Sequence, residues 1–250
     1  MYFHFFKRVI DFILVFYVLA LIWPILLLVA LWLHFANKGT GAFFTQERPG
    51  KNGKIFKVIK FKTMTDERDA DGSVTGRARA RFLMHRYGDL HGTSHVWIVR
   101  SNDKSGFDLL LQKRSEEKDA FPGCYDISSA GHIPAGDDYL ESAVRELEEE
   151  LGITVRPEEL TFVGLHDETD IAEFYGKPFH NYEICRVYVY TRPIEADRLK
   201  LQKEEVESVM WIDYDECLSR IENHTLKNCL NVKELQMLKT WWTEGGRKFR

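Results

Sequence analysis

The stretch that most constrains this chain is residues 12–36, FILVFYVLALIWPILLLVALWLHFA, 25 residues without a Lys, Arg, Asp or Glu. As a helix rising ~1.5 Å per residue it would reach roughly 37 Å, longer than the ~30 Å hydrocarbon core of a bilayer. A helix apolar on every face has no use in a water-soluble fold. A secretory leader fits poorly, because the run is too long and no small-x-small cleavage site follows it. Pro24 stands in the middle, where it lacks an N–H and clashes with the carbonyl four residues earlier, so a kink is expected. Two topologies compete, a kinked span and a re-entrant helix that turns back at Pro24. Lys7 and Arg8 precede the run, and seven more basic residues lie between positions 38 and 62. Positive flanks prefer the cytoplasm, and only the re-entrant form keeps both there, so that form is favoured. In either topology the larger basic flank, and the chain after it, are expected on the cytoplasmic face of a cell membrane. The flank is placed to touch anionic lipid headgroups.

Charge divides the chain at the same place. Residues 1–65 hold nine Lys/Arg and two acids, a net of +7; the remainder holds 25 basic and 36 acidic residues, a net of −11. No chain-wide basic patch exists, so nucleic acid is not an expected partner. With 44% hydrophobic and 29% charged residues, collagen-like, coiled-coil and largely disordered readings are excluded as well. The four cysteines, Cys124, Cys185, Cys217 and Cys229, form no C-x-x-C pair. Free thiols in a reducing compartment are expected, rather than a disulfide framework or a structural zinc site.

Lys7-Arg8, Asp11 and Pro24 are followed by Phe44, Gln46, Arg48, Gly50, Gly53, Lys54, Phe56, Lys60, Phe61, Thr63 and Met64. This string, covering about 70 residues, resembles the start of bacterial monotopic phosphoglycosyl transferases. Those sugar transferases move a sugar phosphate from a nucleotide sugar onto polyprenol phosphate. The resemblance implies a re-entrant membrane helix followed by a short basic piece, and bacterial cell membrane as the location. The family continues into an Asp-Glu dyad on an L-D-E-L-type helix and then a G-P-R-P-type segment, neither of which follows here; Asp66-Glu67 comes too early. Covalent catalysis needs its nucleophile, so residues 1–65 read as an anchor rather than a working transferase.

Residues 66–242 alternate strand-like and helix-like stretches, and the polar junction over 65–72 reads as a turn. Strands are predicted at 95–99, 109–112, 183–190 and 209–212, and helices at 139–151, 214–221 and 232–242. One mixed α/β domain, 66–250, fits this order.

The chemistry is concentrated in GHIPAGDDYLESAVRELEEELGI, residues 131–153. A glycine-bearing loop leads into a helix on which Glu146, Glu149 and Glu150 stand at i, i+3 and i+4, on one face. Like charges so spaced repel, and a hard divalent cation relieves them; Mg²⁺ prefers oxygen ligands and leaves positions for phosphate oxygens and water. Arg145, four residues before Glu149, can orient it or a phosphate. A solvated acidic face with Gly152 as the helix stop is the plain alternative. The complete spacing decides between them. With Gly131, Arg145, Glu146, Leu147, Glu149, Glu150, Gly152 and Ile153 in place, the stretch resembles the Nudix box, the signature of Mg²⁺-dependent hydrolases of diphosphates. Asp137 replaces the usual Glu of that signature.

The surroundings, FPGCYDISSAGHIPAG among them, resemble the branch of the family related to isopentenyl diphosphate isomerase. True isomerases carry a catalytic Cys just before the Gly-His pair. Here Ser128-Ser129-Ala130 precede Gly131-His132, and the nearest thiol, Cys124, lies several residues back. Isomerisation is therefore disfavoured for want of its proton-transfer group.

The resemblance implies a Nudix α/β/α sandwich with a mixed sheet. It also implies Mg²⁺, with Mn²⁺ as a substitute, held by Glu146, Glu149 and Glu150, and a diphosphate-containing small molecule as substrate. Gly131, Asp137 and Gly152 are expected to shape the loop and helix. Lys113 is a candidate for substrate phosphates, and Glu205 for a metal or base role. His91, His95 and His132 suggest a metal site less strongly than structural roles. Two other readings stay open: a transferase-derived membrane protein in polyprenol-linked glycan synthesis with a regulatory Nudix half, and a non-catalytic diphosphate-binding module.

Overall fold

The computed structural model describes residues 2–36, 43–49, 55–61, 64–118, 120–174 and 177–245. The chain divides into two compact units, Met1–Lys62 and Thr63–Arg250.

In the first unit, α1 (Tyr2–Ala36) is a single 35-residue helix. Within it Ile13–Leu31 is long and apolar enough to cross a membrane, with a mean hydropathy of 2.9. The helical backbone continues through Pro24, and no turn interrupts it there. The reversal expected at Pro24 is thus not seen. β1 (Phe43–Pro49) and β2 (Ile55–Phe61) form an antiparallel hairpin, with Phe43 opposite Phe61 and Pro49 opposite Ile55. Arg48, Lys57 and Lys60 of the basic flank lie on its strands, whereas positions 38, 51, 54 and 62 lie outside the described residues.

The second unit is a mixed sheet between helices. Its strands are β3 (Met64–Arg68), β4 (Val74–Ala80), β5 (His91–Ser101), β6 (Phe107–Arg114), β7 (Tyr125–Asp126), β8 (Ser129–His132), β9 (Thr161–Phe174), β10 (Lys177–Tyr190) and β11 (Val206–Asp213). The main path runs β11-β6-β5-β10-β9, with β3, β7 and β8 pairing from the side. β5 and β10 are parallel, and the other pairs are antiparallel. The helices are α2 (Arg81–Tyr87), α3 (Tyr139–Leu151), α4 (Tyr214–Glu222) and α5 (Val232–Glu244).

Strand periodicity builds two cores. Along β5, Val96 and Ile98 face one side and pack with Tyr139, Ala143, Leu147 and Leu151 of α3. Trp97 and Val99 face the other side and pack with Tyr214 and Cys217 of α4 and Leu235, Leu238 and Trp242 of α5. Residues two apart share a face, so one strand serves both layers. The result is the α/β/α sandwich with a mixed sheet that the sequence led us to expect.

The departures have local causes. The polar 65–72 stretch is not a turn throughout, since β3 continues to Arg68 and the chain turns only after it. Gln112, Lys113 and Arg114 belong to β6 rather than following it. β9 was not anticipated, because HDETD places acids where β propensity is low; its alternate side chains are exposed, as on an edge strand. All four cysteines are free, as expected.

α3 has well-defined ends. Asp138 caps it by accepting the Tyr139 N–H, and Gly152 closes it in the left-handed region at φ +69°. A Cβ at Gly152 would stand 2.7 Å from Lys200 Cβ and 3.2 Å from the Lys200 carbonyl oxygen. Gly152→Ala is expected to lower stability by about 1–3 kcal/mol, read as a shifted midpoint in chemical denaturation.

Candidate active site

The sheet and α3 together bring the motif residues into one place. β8 lies beside β5, with Gly131 opposite Ser94 and His132 opposite Thr93. The loop after β8 is held by β3: Asp66 Oδ2 accepts the Gly136 N–H at 2.9 Å, and the Ala135 N–H donates to the Met64 carbonyl at 3.0 Å. α3 then returns over β8. At Gly131 a Cβ would meet Glu146 Cδ at 2.2 Å, so any larger residue here would push that carboxylate from its present position.

Arg145 organises the acidic face. Its guanidinium donates to Asp137 Oδ2 and to Glu146 Oε1, both at 3.0 Å, and stands 4.0 Å from Glu149 Oε1. Asp137, one methylene shorter than the usual Glu, therefore still reaches the arginine of the helix.

Glu150 sits deepest of the three. It is buried, at 4% exposure, and its Oε2 accepts the Ala130 N–H at 3.3 Å. Burial pushes its carboxyl up to about 8; Lys118 acts against this, while Glu146 and Glu205 add to it. Burial also raises Glu146, an effect that Arg145 opposes. Glu149 is the most solvent-exposed of the three, at 56% of its side chain.

The loop before β11 closes the site from the far end of α3. The Lys200 N–H donates to the Leu151 carbonyl and the Gln202 N–H to the Glu150 carbonyl. Glu205 then pairs with Lys118. Lys113 instead pairs with Glu207 at 2.8 Å. The lysine beside the acidic face is thus Lys118, which the sequence pattern did not single out because it lies in a loop without periodicity. Arg81, at the start of α2, is a second unanticipated cation, electrostatically coupled to Glu146, Glu183 and Glu205.

The site can hold a metal, but its acids are not drawn together. Among the described residues, Glu146, Glu149 and Glu150 do not form a group with oxygens within 4.8 Å of one another. Arg145 holds two of them aside, and the Ala130 N–H holds the third. Three carboxylates on one helix face form an all-oxygen donor set, which suits a hard divalent cation. The buried Glu150, charged only at a cost, gives such a cation a reason to bind.

Histidines gather on the other side of β8. His85 and His132 approach at 3.2 Å between their Nε2 atoms, and His132 stacks on His91 at 5.1 Å between ring centroids. Both His85 and His132 are held below the usual imidazole range, His85 at about 3, chiefly by burial and then by Arg81. His95 lies apart from them, against Glu234.

Comparison with known proteins places this architecture. Residues 91–230 match the NUDIX domain family model, and residues 2–90 match that of bacterial sugar transferases. An uncharacterized Nudix hydrolase of Clostridium acetobutylicum is 37% identical over 155 residues, 62% of this chain and 72% of that one. Nudix hydrolase 3 of Arabidopsis thaliana is 44% identical over 150 residues, 58% of this chain but only 18% of the plant protein. The crystal structure of DR0079 from Deinococcus radiodurans aligns with a TM-score of 0.49 and 17% identity, covering 69% of this chain and 96% of that one. The chain belongs to the Nudix family. Pyrophosphohydrolase activity supported by divalent metals such as Mg²⁺ is what that family implies. The sugar-transferase match extends to residue 90, yet the second compact unit begins at Thr63, so β3, β4 and α2 pack with the Nudix sheet.

Glu150 links the site to stability. Its carboxyl is raised in the fold, so the metal-free protein loses stability as pH climbs from about 4.5, the ordinary value, toward about 8. Glu150→Gln is expected to flatten that decline and to stabilise the metal-free protein at pH 8 by roughly 2–5 kcal/mol. Denaturant melts in chelator across this pH range would measure it.

Proposed function

We propose that this protein is a membrane-anchored Nudix hydrolase that cleaves the diphosphate linkage of a small molecule, with residues 1–65 as anchor and residues 66–250 as hydrolase domain. The observation that carries the reading is α3 itself. It presents Glu146, Glu149 and Glu150 on one face, Arg145 braces two of them, and Gly131 leaves room beneath the first.

Glu146, Glu149 and Glu150 would hold Mg²⁺, or Mn²⁺ in its place. The chemistry such an ion supplies when bound is neutralisation of charge on phosphoryl oxygens and acidification of water. The protein's own groups do the rest. Arg145 fixes the rotamers of Glu146 and Asp137, which keeps the helix and the glycine loop in register. Glu149, open to solvent, accepts the proton of the attacking water. Lys118 and Arg81 provide positive charge at the edge of the acidic face, where the negatively charged phosphates have to dock. Glu205 orients Lys118.

Residues 13–31 support the anchor, and the basic positions after α1 would face anionic lipid on the cytoplasmic side. A membrane-held hydrolase suits substrates of envelope glycan synthesis, a nucleotide sugar or a polyprenyl diphosphate.

Two substitutions test the site. Glu149→Gln is expected to lower Mg²⁺-dependent turnover on a diphosphate panel by 10²-fold or more while the melting temperature is retained. Unchanged turnover in the folded variant would remove Glu149 from the mechanism. Gly131→Ala is expected to reduce turnover by displacing the Glu146 side chain, with a smaller effect on thermal stability than on kcat. The reverse pattern would make Gly131 a folding residue only.

A further inference from the structure

Away from the acidic face of α3, three neighbouring strands carry an unbroken polar stripe. Register sets His91 beside Glu183 and Thr93 beside Cys185 across the β5–β10 pair. Across β9–β10 it sets Glu168 beside Glu183 and His166 beside Cys185. Side chains two apart share a face, so His95, Cys185, Glu183 and Glu168 project to the same side. One donor atom from each lies within 4.8 Å of those of the other three. His95, Glu183 and Cys185 are buried, and Glu168 is partly so.

Further observations point to a ligand. His95 Nδ1 is engaged with Glu234 Oε2 at 3.0 Å, and Trp97 Nε1 donates to the other oxygen of Glu234 at 2.6 Å. Glu234, on α5, is 1% exposed. Cys185 Sγ accepts from Thr93 Oγ1 at 3.1 Å and stands 3.9 Å from Glu183 Oε2, while Nδ1 of His95 is turned to Glu234, so Nε2 is the nitrogen left to face a ligand. A carboxylate behind an imidazole is how metal-ligating histidines are oriented and made more basic. Among the described residues, the ion-pair partners of Glu168, Glu183 and Glu234 are histidines alone, with no Lys or Arg within 4.0 Å.

We propose that His95, Cys185, Glu183 and Glu168 form a second metal site, taking zinc or a similar borderline divalent ion, separate from the oxygen-only face of α3. A thiolate, an imidazole and two carboxylates match that class of ion. Ligands on a tetrahedral zinc stand roughly 3.3–3.8 Å apart, given bonds of about 2.0–2.3 Å, so small side-chain rotations close the set. Cys185 gives up its proton to bind, and the proton leaves to solvent. The ion ties β5, β9 and β10 together, and Glu234 adds α5 through His95.

The test is metal content and cobalt spectroscopy on the full chain in detergent. Zinc is expected at one equivalent per chain after reconstitution and dialysis. Cobalt in its place should give thiolate-to-metal charge-transfer absorption, which Cys185→Ser abolishes and Cys124→Ser does not. Glu168→Gln, at a partly exposed position that spares the core, should weaken zinc binding at least tenfold and keep the band. Glu234→Gln should weaken it 10–100-fold. A wild-type protein without the thiolate band would overturn the proposal. So would metal retained by Cys185→Ser but lost on His85→Ala, which would place the ion among His85, His91 and His132 instead.

Discussion

Glu150 lies on α3 with 4% of its surface exposed, and burial there opposes its charge. The rest of the site follows from where α3 must lie to bury it. The helix packs its apolar face, Ala143, Leu147 and Leu151, on one side of β5, which sets the acidic face against β8. That closeness is possible because Gly131 has no Cβ to meet Glu146. β3 then pins the loop between β8 and α3 through Asp66 and Met64. A one-residue change in helix register would move Glu150 out of the core and Leu147 or Leu151 out with it. The apolar packing and the placement of the carboxylates are therefore one constraint.

The two halves of the chain differ in what they expose. Residues 13–31 expose large apolar side chains along α1, among them Leu21 at 78% and Trp23 at 56%. The second unit instead buries most of its apolar residues in two layers on either side of the sheet. The sharp change in charge between positions 65 and 66 reflects that division. The compact Nudix unit starts at Thr63, earlier than the family match at residue 91, because β3 pairs with β5 and Asp66 holds the active-site loop.

Much of this was legible in the sequence. The helix over 139–151 was predicted with the bounds it has, because apolar periodicity and Gly152 as a stop agree. β5, β6, β10 and β11 were found at their centres, where Val, Ile and Leu run together, and were read too short at polar ends such as His91 and Lys177. β9 stayed hidden because its inward side chains are His166, Glu168 and Asp170, which burial patterns do not mark. The same composition hid the buried polar stripe: a sequence shows neither which acids face each other across a register nor that His95 meets Glu234 from another element. Lys118 and Arg81 were missed for a related reason, since loop and helix-start cations gain meaning only from what surrounds them.

The central claim is that the acidic face of α3, with a divalent ion, hydrolyses a diphosphate. Its most direct measurement is product analysis by phosphorus NMR, with purified full-length protein, Mg²⁺ and a panel of nucleotide sugars, dinucleotides and polyprenyl diphosphates. We expect at least one substrate to give its two hydrolysis fragments in equal amounts, with all turnover lost in chelator and regained on adding Mg²⁺. A panel left wholly intact in the presence of Mg²⁺ and Mn²⁺, by protein that is folded and binds the same compounds, would contradict the account.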